Sequence, residues 1–325
     1  MSKILNSLSQ MLVFCLLFAL CLILAFGKGY NNAVLSALNL WIACVLPSLF
    51  PYFFITAILS SLKITGRLSS LLSPVGKRLF GTGGTALYAF FISLLSGYPM
   101  GAKTVCDLKL GGAIGEVESQ RASALCSTSS PMFLLGSVGN LMFNSPVFGL
   151  CLFSCHLLSA IIIGVIFSFY KRDIKPSSTT FFPQTKTDNI LYESAYSSVI
   201  SVLVVGGLIT VFYLLTEILL SFNILSPLIS LFSCVFNNEQ LGKGVCLGLF
   251  ECTRGLKVIS SGNIGFLTLP TCALICGFGG LSVIMQSIAY LKKAKIKTAP
   301  FVFSKLLSAV VNFIIGVIFS LILGF

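Results

Sequence analysis

Three charged residues in one apolar stretch are the strongest candidates for chemistry in this sequence. Glu251, Arg254 and Lys257 lie within "VCLGLFECTRGLKVISSG", residues 245–262. Residues three or four positions apart share one face of a helix, and a charge at the centre of a bilayer costs about 2.5–3.5 kcal/mol on insertion scales. Two interpretations follow: a structural salt bridge between Glu251 and Arg254, or a site in which Arg254 donates to an anion and Glu251 exchanges a proton.

A second candidate is the break in "LLSGYPMGAKTV", residues 94–105, where glycine and proline interrupt an apolar run and a lysine follows. Unpaired helix backbone is too costly in lipid, so such a break is found only where it packs against protein or lines a cavity. The alternative is a kink that only shapes helix packing. Two further interrupted stretches are "CSTSSPMFLLGSVGN", residues 126–140, and "LICGFGGLSVIMQS", residues 274–287.

These four stretches supply the candidate binding residues. Gly, Ser and Thr there leave backbone groups and hydroxyls free for a ligand, and the charges add donors or an acceptor. The candidate substrate-binding residues are Gly97, Tyr98, Pro99, Gly101, Lys103, Ser127, Thr128, Ser129, Ser130, Glu251, Thr253, Arg254, Lys257, Gly277, Gly279 and Gly280. Glu217, near the end of its apolar run, is predicted to be an interfacial residue.

The elements that position these residues must be membrane helices. The chain has 325 residues, of which 56% are hydrophobic and 9% charged, and its mean hydropathy is +1.00. These values exclude a soluble protein, and spans of about 20 residues leave no room for a separate soluble domain. The net charge of +12 comes mostly from loops beside apolar runs, where Lys and Arg orient the spans. No nucleic-acid partner is predicted.

The sequence offers little evidence for a metal site or for catalysis. The twelve cysteines are scattered through apolar stretches as packing residues. Cys151, Cys155 and His156, or Cys272 and Cys276, have helical spacing for metal ligands, but no second cluster accompanies them. We therefore predict no metal and no cofactor, and the coupling ion stays open. Without HExxH or GxSxG, no nucleophile and base can be nominated, and no enzymatic activity is predicted.

The chain divides into four regions. Residues 1–29 are predicted to form an N-terminal membrane helix with its start inside, and residues 171–190 a polar cytoplasmic linker. Between them, residues 30–170 contain a crossing broken or kinked by Pro47 and Pro51 (31–62), a basic loop, a short re-entrant hairpin, an interrupted crossing (122–143) and a plain span (146–170).

Residues 191–325 repeat this order of events. A crossing (194–222) and a loop (223–240) precede a short broken piece, an interrupted crossing and a last span (299–325), and Gly101 falls on Gly255. The loop at 223–240 has no Lys or Arg, whereas its first-half counterpart has four, so the halves should be inverted. The predicted fold is an all-α polytopic membrane protein with two inverted repeats, broken helices, about seven full spans and two hairpins. Broken helices at matching positions of inverted repeats are typical of transport sites.

Four stretches also resemble a known family. In order they are "VLPSLFPYFFITAIL" (45–59), "SGYPMGAK" (96–103), "CSTSSPMFLLGSVG" (126–139) and "LFECTRGLK" (249–257). They are similar to the YlbJ-type sporulation integral membrane proteins, over roughly residues 30–325. The resemblance implies repeats of the nucleoside-recognition or Gate domain, related to concentrative nucleoside transporters. It also implies a place in the outer forespore membrane or cell membrane of a spore former, and movement of dipicolinic acid from the mother cell towards the forespore.

A planar dicarboxylate agrees with the residues at the breaks. Lys103, Arg254 and Lys257 are cationic, and the half-helices after the breaks present N-terminal N–H groups. We therefore predict a transporter of a small organic anion. Three alternatives stay open: a non-transporting scaffold of a sporulation complex, a transporter of nucleosides or other solutes, and cations that bind lipid head groups. Other sporulation membrane proteins or a second copy are candidate partners.

Overall fold

The structure is a computed structural model that describes residues 27–61, 64–174 and 189–324. These residues form helices joined by short connections, with no strand among them. The predicted N-terminal helix before residue 27 and residues 175–188 of the predicted linker lie outside the described residues. Five helices in the described part are long and apolar enough to cross a membrane, or up to six if one pair bent by 93° counts as one span. The protein is therefore a multi-pass membrane protein.

The first half contains α1 to α7. Helix α1 comprises Gly27–Leu40, a π turn at Trp41–Val45 and Leu46–Ser61, and α2 comprises Ile64–Val75 with a π turn at Gly76–Phe80. The others are α3 (Gly84–Ser96), α4 (Met100–Leu110), α5 (Glu116–Leu125), the π-helical α6 (Met132–Met142) and α7 (Pro146–Ser168).

The second half contains α8 to α14 in a matching order. They are α8 (Ile190–Ser221), α9 (Ser226–Phe236), α10 (Glu239–Phe250), α11 (Cys252–Ser260), α12 (Thr268–Phe278), α13 (Gly280–Lys293) and α14 (Ala299–Leu323). Each half thus has a long helix, a short helix, two pairs of half-helices and a final long helix. The breaks at Gly97 and Glu251 precede Gly101 and Gly255 by the same spacing, so the two halves break their chains at equivalent positions.

Of the two forms predicted for residues 31–62, broken or kinked, the structure does not show the broken one, because helix α1 continues through its prolines. The N–H of Leu46 bonds to the carbonyl of Trp41, five residues back, in the wide π turn just before Pro47. A proline ring clashes with the carbonyl of the preceding turn in a regular α-helix, and π turns insert extra backbone into a helix without ending it. Pro51 likewise lies inside the helix.

Residues 223–240 do not form the predicted loop. Helix α9 begins after a turn at Asn223 and packs on α10, where a side chain at Gly242 would collide with Ser233. Between α9 and α10 the predicted loop is reduced to a short turn at Asn237, which has a positive φ of 48°. The apolar composition of "SPLISLFSCVF" therefore dominates over the turn signal that follows it.

The predicted crossing at 122–143 is not among the helices long and apolar enough to span. Helix α5 carries Glu116, Glu118 and Arg121, and an extended segment separates it from α6. By contrast, the predicted spans at 146–170, 194–222 and 299–325 coincide with the long apolar helices α7, α8 and α14.

The two halves share their core. Helix α1 packs along α8, and α14 packs on α12, α7 and α5. One apolar cluster contains Phe53, Leu134 and Phe148 of the first half together with Val205 and Ile275 of the second. The half-helices lie among these long helices, so the breaks are surrounded by protein.

Candidate functional site

The first break joins α3 to α4 through Gly97, Tyr98 and Pro99, with a cis Tyr98–Pro99 bond. Gly97 has a φ of 78°, and a Cβ there would lie 2.7 Å from the backbone nitrogen of Ser130. Only glycine accommodates both the positive φ and this close approach. A Cβ at Gly101 would overlap the carbonyl oxygen of Cys126. The two glycines thus allow the first break to lie directly against residues 126–130.

The second break is the extended segment between α5 and α6, and side chains satisfy its backbone. Ser93 of α3 donates to the carbonyl of Cys126 at 2.8 Å and accepts from the backbone N–H of Thr128 at 3.3 Å. The N–H of Ser129 donates to Nε2 of His156 at 2.8 Å. These bonds replace the helical hydrogen bonds that the segment lacks, as an embedded break requires.

The third break lies at Glu251, between α10 and α11. Its backbone is extended, and its carboxylate accepts hydrogen bonds from the N–H groups of Thr253 at 3.0 Å and Arg254 at 2.6 Å. Glu251 is 2% exposed. A carboxylate at a helix N-terminus satisfies free N–H groups and interacts favourably with the helix dipole. Glu251 therefore caps α11.

Arg254 takes a different partner from the one predicted. Its guanidinium forms an ion pair with Glu217 of α8, donates to the carbonyl of Tyr213 at 2.8 Å and lies 3.9 Å from the Tyr213 ring centroid. The predicted side-chain salt bridge with Glu251 is not formed. The side chain of Glu217 is 40% exposed, so its predicted position near an interface fits, but it is also the counterion of Arg254.

The fourth break lies at Gly279 and Gly280, with φ values of 82° and 80°. A Cβ on Gly280 would lie 3.0 Å from the backbone nitrogen of Cys252, so the third and fourth breaks touch. Gly277 has another role, since a Cβ there would lie 2.6 Å from Nδ2 of Asn312. It allows α12 to pack closely on α14.

The first three breaks line one cavity, and the helix that follows the fourth break, α13, borders it through Val283 and Gln286. The cavity has room for water over a volume of only about 30 Å³, so it is narrow in this conformation. Six of the predicted binding residues line it: Gly97, Tyr98, Ser129, Ser130, Glu251 and Thr253. The apolar wall comprises Val45, Leu49, Phe133, Val205, Ile209 and Val283. Because these residues come from both halves, the cavity, which we call the central cavity, exists only when the halves pack together.

Besides the apolar wall, two lining residues were not predicted from the sequence. Cys252 contacts Tyr98, whose hydroxyl lies 3.9 Å from its Sγ. Gln286 of α13 is 4% exposed, and its Oε1 has no hydrogen-bond partner in the described part of the chain. A buried amide oxygen without a donor is rare in proteins. The polar Gln286 in an apolar stretch was the available signal for it.

A second cavity lies beside the central one and holds two of the three predicted cations, Arg254 and Lys257. Lys243, Arg254, Lys257 and Glu217 line it, and its volume is about 570 Å³. Arg254 follows Thr253 in the chain, and the π turn of α1 contributes to both cavities. We call it the basic vestibule because three cations face one carboxylate.

The remaining predicted residues lie around the cavity. Lys103 points to α8, where its ammonium donates to Ser197 at 2.9 Å and Ser201 at 3.3 Å. Thr128 bonds to Ser93. Pro99 and Gly101 shape the first break, and Gly279 and Gly280 form the fourth.

Two buried basic residues near the breaks were missed. Lys305 of α14 is 1% exposed, and its ammonium donates to the carbonyl of Ser127 at 3.3 Å. His156 of α7 is 2% exposed, and the sequence suggested it only as a metal ligand. The structure brings no three His, Cys, Asp or Glu residues together within 27–61, 64–174 and 189–324. A lone lysine inside an apolar span marks a functional residue, and this signal was available for Lys305.

Comparison with known proteins gives one relative. The chain is 28% identical to the sporulation integral membrane protein YlbJ of Bacillus subtilis (strain 168). The alignment spans 320 residues and covers 90% of this chain and 78% of the relative. This chain is similar to a sporulation membrane protein. The finding supports the resemblance to YlbJ-type proteins, while the relation to Gate domains stays a prediction. No family model and no solved structure matches the chain.

Proposed function

We propose that this protein transports a small organic anion across a membrane during endospore formation, most simply dipicolinate moving from the mother cell towards the forespore. The observation that carries the proposal is the meeting of three helix breaks, together with the half-helix α13 that follows the fourth, around the central cavity between the two halves. Discontinuous helices packed around a cavity at a repeat interface are the construction of many transporter binding sites. The sporulation setting is taken from the similarity to the relative.

The lining of the central cavity has the chemistry of a site for a flat aromatic acid, which would have to widen the space of about 30 Å³. Phe133, Leu49 and Ile209 contribute apolar surface for a ring, and Ser129, Ser130 and Gln286 contribute polar groups to the same lining. Ligand sites commonly combine a mostly apolar lining with a few placed polar groups. The carboxylate of Glu251 already accepts the two N–H groups at the start of α11. A substrate carboxylate that uses those donors must displace it.

Charge favours an anion over a neutral nucleoside. The basic vestibule presents Lys243, Arg254 and Lys257 against Glu217, and a positive approach raises the local concentration of anions. Lys305 lies directly behind Tyr98 in the cavity wall, 5.3 Å from its ring centroid.

We further propose that the two halves are inverted repeats. The matching order of helices supports a repeat. Residues 113–114 and 294–296 belong to one apolar cluster, which agrees with two loops on the same side, as inversion requires. Lys77, Arg78, Arg121 and Arg172 line one cavity at a single end of the bundle, which fits a cytoplasmic side. The membrane is proposed to be the outer forespore membrane or the cell membrane.

A second candidate is a non-transporting scaffold. Glu251 caps α11 and Arg254 is paired with Glu217, so both charges have structural partners. In that case the protein would bind other sporulation membrane proteins or a second copy, and filling the cavity would leave function intact.

Uptake into vesicles that contain only this protein tests the proposal. Labelled dipicolinate should accumulate in a saturable manner, and unlabelled uridine should not compete. Val205→Phe, which fills the central cavity from α8, should abolish uptake. Leu203→Phe is the matched control, because Leu203 is 52% exposed on the same helix. Equal uptake by both variants at equal melting temperature would favour the scaffold.

A further inference from the structure

Lys305 is a buried cation without a carboxylate partner. Lys305 is 1% exposed near the start of α14, and its one hydrogen bond in the described part of the chain goes to the carbonyl of Ser127. No salt bridge to Lys305 is formed within the described residues. A buried ammonium without compensation is strongly unfavourable. Its surroundings must therefore supply the negative potential that a carboxylate would give.

Three groups around the ammonium supply that potential. The carbonyl oxygen of Ser127 lies 3.3 Å from Nζ, just beyond the C-terminal end of α5. Gly279, which caps the C-terminal end of α12, adjoins the ammonium, since a Cβ built on it would lie 3.4 Å from Nζ. The ring of Tyr98 presents its face, with the centroid at 5.3 Å. A carbonyl, the negative ends of two helices and an aromatic face all favour a cation.

The other ionisable groups facing Lys305 carry no fixed negative charge. They are Cys252 on α11, Cys276 on α12, His156 on α7 and Tyr98 itself. His156 accepts the N–H of Ser129 through Nε2, so that nitrogen is unprotonated. The acidic Glu118 of α5 accepts from the N–H of Gly83 instead.

We propose that the Lys305 ammonium is a tethered cation that fills a monovalent-cation site built from the Ser127 carbonyl, the C-terminal end of α12 and the Tyr98 ring. Unwound carbonyls and half-helix C-terminal ends are the groups that hold Na⁺ in transporters with broken helices. Here the first, second and fourth breaks are held by a covalently attached ammonium. The site is therefore occupied at every sodium concentration.

Chemical rescue tests the cation site directly. Lys305→Ala removes the propylammonium portion of the side chain, so n-propylammonium should re-enter the space. The unfolding temperature of the detergent-solubilised variant should rise by about 4 °C at saturation, and the parent should not respond. n-Propanol, which has the same length without the charge, should give no rise. Lys103→Ala is the matched control, since Lys103 bonds to Ser197 and Ser201 and should show no rescue.

Equal stabilisation by propanol and propylammonium would overturn the proposal, because stabilisation would then come from filling the space and not from the positive charge. If Lys305→Ala does not accumulate, Lys305→Gln keeps most of the volume and is compared in sodium and in choline buffers. Stabilisation of Lys305→Gln by sodium, absent in the parent, supports the cation site. Equal stability of Lys305→Gln and the parent in choline overturns it.

The consequence for transport rests on the proposed function. Uptake of dipicolinate by the parent should be unchanged when sodium is replaced by choline. Rescue of Lys305→Ala by propylammonium without any uptake by the parent would leave the cation site standing and remove the transport function. If uptake by the parent requires sodium, the transport function is supported and the proposal that Lys305 fills the cation site is overturned.

Discussion

Arg254 on α11 forms an ion pair with Glu217 on α8, and the guanidinium stacks on the ring of Tyr213. The contact joins a half-helix beside the central cavity to one of the long helices of the second half. Arg254 is 7% exposed, whereas the side chain of Glu217 is 40% exposed. The pair therefore lies at the inner end of the basic vestibule, where Arg254 is buried and Glu217 is partly exposed to solvent.

Two double-mutant cycles should distinguish the partners of Arg254. Arg254→Gln and Glu217→Gln should be coupled by about 0.5–1 kcal/mol, because one carboxylate is partly hydrated and screened. Arg254→Gln and Glu251→Gln should be additive within about 0.5 kcal/mol, because Glu251 bonds to the backbone N–H of Arg254 and forms no ion pair with its guanidinium. The measurement is thermal unfolding of the four proteins of each cycle in detergent. Strong coupling of Arg254 to Glu251 would contradict the observed pairing.

The positions of the four breaks could be predicted from the sequence, but their convergence could not. Glycine, proline and serine inside apolar runs are local signals, and they correctly marked Gly97, residues 126–130 and Gly279. Sequence spacing reveals neighbours only within one helix, which is why Glu251 was paired with Arg254. Glu217 and Lys305 reach the site through tertiary packing, and no local pattern connects them to α11 or to residues 126–130.

In α1, tertiary packing overrides the tendency of proline to end a helix. Pro47 and Pro51 would end an isolated helix, yet α1 continues through a π turn and packs along α8. Burial against a neighbouring helix compensates for the missing hydrogen bonds, and that neighbour cannot be identified from residues 31–62 alone.

Replacing Glu251 should weaken the start of α11. Glu251→Ala removes a cap that typically contributes about 0.5–2 kcal/mol, and Glu251→Gln turns an amide NH₂ towards a backbone N–H. Both should lower the unfolding temperature and vesicle uptake, whereas Glu251→Asp should keep part of each. Glu239→Gln is the control, because Glu239 lies in the exposed first turn of α10. If Glu251→Gln unfolds at the parent's temperature, the carboxylate is not acting as the cap.

Gly101 should tolerate no side chain. A Cβ there would overlap the carbonyl oxygen of Cys126 and lie 2.5 Å from Oγ of Ser93, so Gly101→Ala must separate α4 from the second break. Overpacking of this kind costs about 1–3 kcal/mol. Folded protein recovered from membranes should fall several-fold. Gly115→Ala is the control, with open space around its Cβ, and should match the parent. Normal recovery of Gly101→Ala would mean that α4 does not pack this tightly.

The last prediction concerns topology and decides between a hairpin and a crossing at the third break. Helices α12 and α13 together are long enough to cross once. If α10 and α11 form a re-entrant hairpin, Asn237 and Lys293 must lie on opposite sides of the membrane. Gln240, at the start of α10, donates to the carbonyl of Val258 near the end of α11 at 2.7 Å. The start of α10 therefore lies next to the end of α11, as in a hairpin. Reporter fusions should therefore place Lys293 in the cytoplasm and Asn237 outside it. The first half supplies the mirror test, with Lys77 in the cytoplasm and Asn144 outside. Reporters that put Asn237 and Lys293 on the same side would require α10 and α11 to cross the membrane together, and the inverted repeat would then be wrong.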